Sequence, residues 1–243
     1  MTRSRLGQAR RHRWWLSFAR GMRAAIILPA WVVGFSLMGV GALANDLGFS
    51  FWMATLSTAL VWAGPAQLVM FGGLAAGASL LSVALAVTLS SMRLLPMAIS
   101  LLALIPRRDG GVWWRLGLAH YAVTITWAEG MRKLPGLRPR DRTPWLLGFA
   151  NVCVGVSTIL TALGFVLSDS LPVQFAAGFM FLTPLFFSIS LVAWAKGRAD
   201  IAAIVGGVAL IPIMGPLVGP DLDLLVAGVG GGLMSYAIHR SRR

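Results

Sequence analysis

The chain has 243 residues, 57% of them hydrophobic and 12% charged, with a formal net charge of +13. Soluble domains carry about 25% charged residues, so this composition cannot cover a globular surface with polar groups and excludes a soluble fold. The positive surplus does not indicate nucleic acid, because the arginines gather at the ends of apolar runs, where they fix orientation and touch anionic lipid headgroups.

The expected class is an all-α, polytopic integral membrane protein: the mean hydropathy is +0.77, and the apolar runs can cross a hydrocarbon core of ~30 Å, which takes about 20 helical residues. The short alternating strands of an outer-membrane barrel are absent from the sequence. Residues 1–23 read as a basic cytoplasmic tail, 24–239 as one transmembrane domain, and 240–243 as a second basic cytoplasmic tail. Seven arginines precede Ala24. The first run, 24–44, exceeds the roughly 7–15-residue core of a signal peptide, so it reads as a span even though Ala42-Leu43-Ala44 resembles a cleavage site. Further runs follow at 49–75, 78–105, 112–130, 144–167, 172–195, 199–217 and 222–238. Short connections between them, the polar ones carrying Gly, Pro or Asp, mark helix ends.

Lysine and arginine set the topology. They place the N-terminus inside, Asn45-Asp46 outside, and both Arg107-Arg108 and the stretch from Arg132 to Arg142 inside. Asp169 then falls outside, Lys196 and Arg198 inside, Asp221 and Asp223 outside, and the C-terminus inside. The second half alternates cleanly, but two full crossings at 49–75 and 78–105 would put Arg107-Arg108 on the wrong side. One run must therefore fail to cross. Proline in a helix interior removes an amide donor and clashes with the preceding turn, so Gly64-Pro65 splits 49–75 into a re-entrant pair. The run 112–130, basic at both ends, is likewise re-entrant or interfacial. The expectation is about six full spans plus two broken or re-entrant segments, N-in and C-in. Non-helical backbone at membrane depth is tolerated where protein or a wet cavity satisfies it, which points to a mid-membrane site. Pro65-Ala66-Gln67 has an echo in Pro172-Val173-Gln174, 107 residues on.

Three constellations could carry chemistry. At Gly64-Pro65-Ala66-Gln67, a half-helix N-terminus would offer freed amides and a positive dipole end to a carboxylate, with Gln67 adding an amide. The competing reading is a proline kink with Gln67 bonded to a neighbouring helix. Arg93 lies in 78–105, twenty-eight residues with no other ionisable side chain. A charge at bilayer depth costs at least ~2.5–3.5 kcal/mol, so protein or water must solvate it. Twelve residues, roughly 18 Å of helix, separate it from Ile105, which disfavours snorkelling and leaves a carboxylate fork or an ion pair with Glu129. The third set is His120, Tyr121, Thr124, Thr126 and Glu129, with His120, Thr124 and Trp127 on one face if the helix is continuous. Glu129, the only glutamate, is either a proton-binding or ammonium-binding carboxylate or a partner of Arg132 or Lys133. Gly34, Gly39, Gly41, Gly72, Gly73, Gly77 and the glycines of 228–232 are candidates for close helix approach, and Asn151, Thr158 and Thr161 for interhelical bonds.

Enzyme signatures are missing: no metal-ligand spacing, no nucleophile elbow, no P-loop and no CxxC, and the single cysteine, Cys153, forbids an intramolecular disulfide. No cofactor is expected.

Ala63-Gly64-Pro65-Ala66-Gln67, the following Gly72-Gly73-Leu74-Ala75-Ala76-Gly77-Ala78 and the block around Arg93 resemble the AzlC-like branched-chain amino acid exporters, large permease subunit. The order of these blocks and the segment from His120 to Glu129 extend the resemblance over about residues 20–240. It implies an inner-membrane exporter of branched-chain amino acids, and in some members methionine, working with a small AzlD-like membrane subunit. The chain departs from the family pattern at Pro65, Ser91 and Leu94, and in Thr126-Trp127-Ala128-Glu129. The sequence reading is a secondary exporter of a small apolar amino acid. Gly64, Pro65, Gln67 and Arg93 would bind its carboxylate, Met70, Phe71 and Met92 would form apolar walls, and Glu129 or His120 would serve as amine contact or proton relay. The alternatives are a passive small-solute channel and a non-transporting structural subunit.

Overall fold

Backbone polar groups in hydrocarbon must pair within the chain, and the described residues do so as helices, with no strand among them. The structure is a computed structural model that describes residues 3–106, 111–170 and 198–218, with short helical pieces between 174 and 185 and between 230 and 236. The helices are α1 (Arg3–Ile27), α2 (Pro29–Asp46), α3 (Phe51–Val61), α4 (Gly64–Ala75), α5 (Leu80–Ser91), α6 (Leu94–Ala103), α7 (Gly111–Ala119), α8 (Thr124–Lys133), α9 (Pro139–Leu167) and α10 (Arg198–Val218). Only α9 among the described helices is long and apolar enough to cross a membrane unaided; α1 with α2, bent by 56°, and α5 with α6, bent by 49°, bring the total to three if each pair is one span. Most of the expected runs at 172–195 and 222–238, and Pro172-Val173 of the echo, lie outside the described residues.

The expected break in 49–75 is present at Trp62-Ala63. Trp62 takes a left-handed φ of 41°, its amide donates to Thr58 O at 3.1 Å, and its indole Nε1 donates to Ser157 Oγ on α9 at 3.2 Å. Two runs expected to be continuous are also interrupted, as is 112–130, expected to be re-entrant or interfacial. The first bends at Leu28, just before Pro29, and its basic leading stretch is helical from Arg3. The run 78–105 breaks at Met92-Arg93 because Pro96 has no amide to donate to Met92 O and its ring crowds that carbonyl; Leu95 N–H takes the bond instead, at 3.0 Å. The run 112–130 breaks between His120 and Val123, where Thr126 Oγ1 donates to Tyr121 O and to Val123 O. The continuous face expected for His120, Thr124 and Trp127 therefore does not exist.

Helix α9 is the spine. The bent pair α1–α2 runs parallel to it, tied at one end by Ser17 Oγ donating to Asp141 Oδ1 at 3.1 Å and at the other by Asn45 Nδ2 donating to Ser168 Oγ. Glycines set the spacing. A Cβ at Gly21 would lie 2.1 Å from Trp145 O, and one at Gly148 2.1 Å from Phe18 O; Gly41 and Gly164 would meet Thr161 O and Met38 O, each at 2.0 Å. These are backbone-on-backbone contacts of the small-residue kind that membrane helices use. Gly34, against Leu160 and Val156, and Gly231, against Gly207, are also close approaches. Gly72 and Gly77 face open space instead. Gly77, with φ 76°, ends α4: its amide bonds to Leu74 O and that of Ala78 to Gly73 O, each at 3.0 Å.

Arg142 Nη1 donates to Leu104 O at 2.9 Å and Arg115 Nη2 to Leu102 O at 3.4 Å, so two cations cap the carbonyl end of α6. The end of α6 thus meets the start of α9.

Gly148→Ala and Gly155→Ala separate packing from helix propensity on one helix. Gly155 faces open space, so its substitution should be neutral or stabilising by up to about 1 kcal/mol. Gly148→Ala should destabilise by about 1–3 kcal/mol or more, since backbone must move. Thermal melts of the purified proteins in one detergent check the opposite signs.

Candidate functional site

Three of the helix breaks open onto one cavity of about 210 Å³, whose far wall is α2. The α3–α4 break contributes Trp62, Ala63, Gly64 and Pro65; the α5–α6 break contributes Arg93 and Leu94; the α7–α8 break contributes Val123, Thr124 and Ile125. From α2 come Ser36 and the apolar Leu37 and Val40. Each break is there for a local reason given above, and together they bring freed backbone to one place.

The electrostatics follow from the helix ends. The first main-chain bond of α4 runs from Gln67 N–H to Ala63 O at 2.9 Å, and that of α8 from Trp127 N–H to Val123 O at 2.8 Å. The amides ahead of them, including those of Gly64, Ala66, Thr124 and Ile125, have no intrahelical partner and carry the positive ends of two helix dipoles. Arg93, half-buried at the third break, adds a full positive charge. Among the described residues its guanidinium makes no hydrogen bond or ion pair within the chain. The rest of the lining is largely aliphatic. Such a cavity can take a small anionic group at one end and an apolar body at the other.

The residues singled out from sequence divide. Gly64, Pro65 and Arg93 line the cavity. Gln67 does not: fully buried, its Nε2 donates to Ser57 Oγ and Thr58 Oγ1 on α3, each at 2.9 Å. Thr58 meets Thr161 Oγ1 at 3.0 Å, and Thr161 bonds back to Leu37 O at 3.2 Å, so Gln67 belongs to a buried network joining α3, α4, α9 and α2. Phe71 is fully buried with its ring 5.0 Å from that of Phe49, and Met70 is half-buried against the same core; neither lines the cavity. Met92 is exposed. Glu129 is buried and paired with Arg132 on its own helix. The ion pair considered for Arg93 and Glu129 is not formed. His120 is exposed and lines a neighbouring pocket. Of the bonding groups expected, Asn151 accepts from Tyr121 Oη at 3.2 Å, linking the α7–α8 break to α9. Sequence reasoning missed Ser36, Leu94, Val123 and the α2 wall; Ser36, a hydroxyl in an apolar run, was the available signal.

These features define a helical membrane protein organised around interrupted helices that share a small, cation-lined cavity. The chain belongs to the AzlC family: the family profile described as "AzlC protein" matches residues 27–171, the stretch that contains all three breaks and the cavity. It is also 26% identical over 205 residues, 82% of this chain and 81% of the other, to an "Uncharacterized membrane protein" of Haemophilus influenzae. No solved structure matches it. The family and this relative support a membrane location and a role in membrane transport.

Because Arg132 is half-exposed and Glu129 buried, Arg132→Gln should strand a carboxylate and destabilise by about 1–3 kcal/mol. Adding Glu129→Gln should recover most of that loss, and a double-mutant cycle on melting temperatures checks it.

Proposed function

We propose that the protein is a secondary transporter that exports branched-chain or similar apolar amino acids across the bacterial cytoplasmic membrane, working with a small AzlD-like membrane subunit. The observation that carries this reading is the convergence of Arg93 with two half-helix N-termini on a mostly aliphatic cavity. Transporters with discontinuous helices aim half-helix N-termini at substrate carboxylates. At about 210 Å³ the cavity lies below the ~300–1,000 Å³ that holds drug-sized ligands, a size suited to one small zwitterion. In this reading Arg93 and the amides at Gly64 and Thr124 hold the carboxylate, while Leu37, Val40 and Leu68 receive the side chain. Gln67 acts indirectly, by holding the α3–α4 break in place. His120, exposed in the adjoining pocket, is better situated for a proton relay than Glu129, whose charge Arg132 already neutralises. No catalytic chemistry is assigned.

The test is counterflow of labelled leucine, valine and methionine in proteoliposomes, with the chain alone and with its small subunit co-expressed. Saturating exchange is the expected result. Non-saturating flux would favour the channel, and no exchange in either preparation would favour a structural subunit. Arg93→Gln, in correctly inserted protein, should slow exchange at least about tenfold, since a charge-assisted hydrogen bond contributes ~1.5–3 kcal/mol. Unchanged exchange would remove Arg93 from the site.

A further inference from the structure

A second pocket, of about 280 Å³, adjoins the cavity on the other side of the breaks and carries the exposed His120. Three residues belong to both walls: Ala63, Leu94 and Val123. Their positions in the fold are equivalent, since Ala63 caps the N-terminus of α4, Leu94 opens α6 and Val123 caps the N-terminus of α8. Each is apolar and half-buried. The two spaces are therefore separated by one side chain from each of three helix breaks, with no polar side chain among them.

We infer that Ala63, Leu94 and Val123 form the constriction of the translocation route, between the chamber that holds Arg93 and a vestibule marked by His120, and that its width sets the largest side chain the protein admits. The inference deepens the transport reading and rests on it. An apolar ring resists wetting, so it blocks ions and polar solutes while opposing an apolar side chain less. Helix breaks are also where a few backbone torsions move one half-helix against the next, so a ring built from three of them can change diameter without unpacking a core. Leu94 follows Arg93 directly, which couples the constriction to whatever the guanidinium holds. Leu94 and Val123 supply the bulk of the ring, and Ala63 a single methyl.

Thiol accessibility in proteoliposomes tests this without needing a substrate. Cys153, the one free cysteine and buried, is replaced by Ala, and a reporter is introduced as His120→Cys in the vestibule or Thr124→Cys in the chamber. A charged, membrane-impermeant thiol reagent is applied on the face that labels His120→Cys. Thr124→Cys should react slowly in this background and about tenfold faster once Leu94→Ala is added, a change equivalent to about 1.4 kcal/mol. The His120→Cys rate should not change. Val123→Ala is the second widening variant should Leu94→Ala fail to insert, and Ala63→Leu should slow the Thr124→Cys reaction further. Equal Thr124→Cys rates in the parent and the widened variants overturn the constriction. Counterflow on the Cys153→Ala parent, reconstituted with its small subunit and without a reporter, keeps the two ideas apart: exchange there with unaltered labelling in the widened variants rejects the ring and retains transport, whereas widened labelling with no exchange in that parent retains the ring and rejects the amino acid substrate.

Discussion

The structure depends on how closely α9 can approach the bent pair α1–α2. In lipid there is little hydrophobic gain from burying one apolar helix against another, so close packing and interhelical bonds must hold helices together. Gly21 and Gly148 at one crossing, and Gly41 and Gly164 at the other, bring main chain against main chain where a single methyl would collide with a carbonyl oxygen. That contact makes a post from one uninterrupted helix and a bent pair. Broken helices cannot supply such a post, because each interruption gives up main-chain bonds and needs outside support.

The support reaches the breaks through side chains anchored on α9. Ser157 receives the Trp62 indole, and Thr161 links to Thr58, which with Ser57 receives the Gln67 amide. Asn151 holds Tyr121 at the α7–α8 break. Three polar positions on a spanning helix thus hold two breaks in place, and each of these side chains is paired, as low dielectric requires. In this network, Gln67 Oε1 is buried without a donor among the described residues.

Legibility in the sequence followed the chemistry of each break. Gly64-Pro65 could be read because both residues disrupt helices through their own backbone, and the structure breaks just ahead of them, at Trp62-Ala63. Pro96 disrupts at a distance: it cancels a bond four residues earlier, so the break surfaces at Met92-Arg93, where neither residue signals it. The break before Thr124 has no proline or glycine at all; a threonine side chain competing for Tyr121 O and Val123 O makes it, and threonines do this only in some contexts. Glycines posed a similar difficulty. Gly41 and Gly77 look alike in the chain, yet one touches another helix's backbone and the other ends its own helix, a difference set by which segments meet. Arg93 stood out because a lone charge in a long apolar run is costly wherever it points, and Gln67 stayed open between site and scaffold because an amide serves either equally well.

On the transport reading proposed above, interrupted helices also account for how so few polar side chains could handle a zwitterion. Each break places the carbonyl end of one half-helix within a few residues of the amide end of the next: α3 gives way to α4 across Trp62-Ala63, α5 to α6 across Met92-Arg93, and α7 to α8 across the turn from His120 to Val123. The amide ends favour a carboxylate and the carbonyl ends an ammonium group, both from main chain that no substitution other than proline removes. With the backbone offering both signs, side chains are needed only to unbalance it, and Arg93 does so in favour of the carboxylate. A cavity of this kind needs no buried acid to receive an amine, which agrees with Glu129 being committed to Arg132 outside it. What remains for side chains is to set shape, and the aliphatic residues of α2 and of the three break points are suited to discriminate among apolar solutes by size rather than by charge.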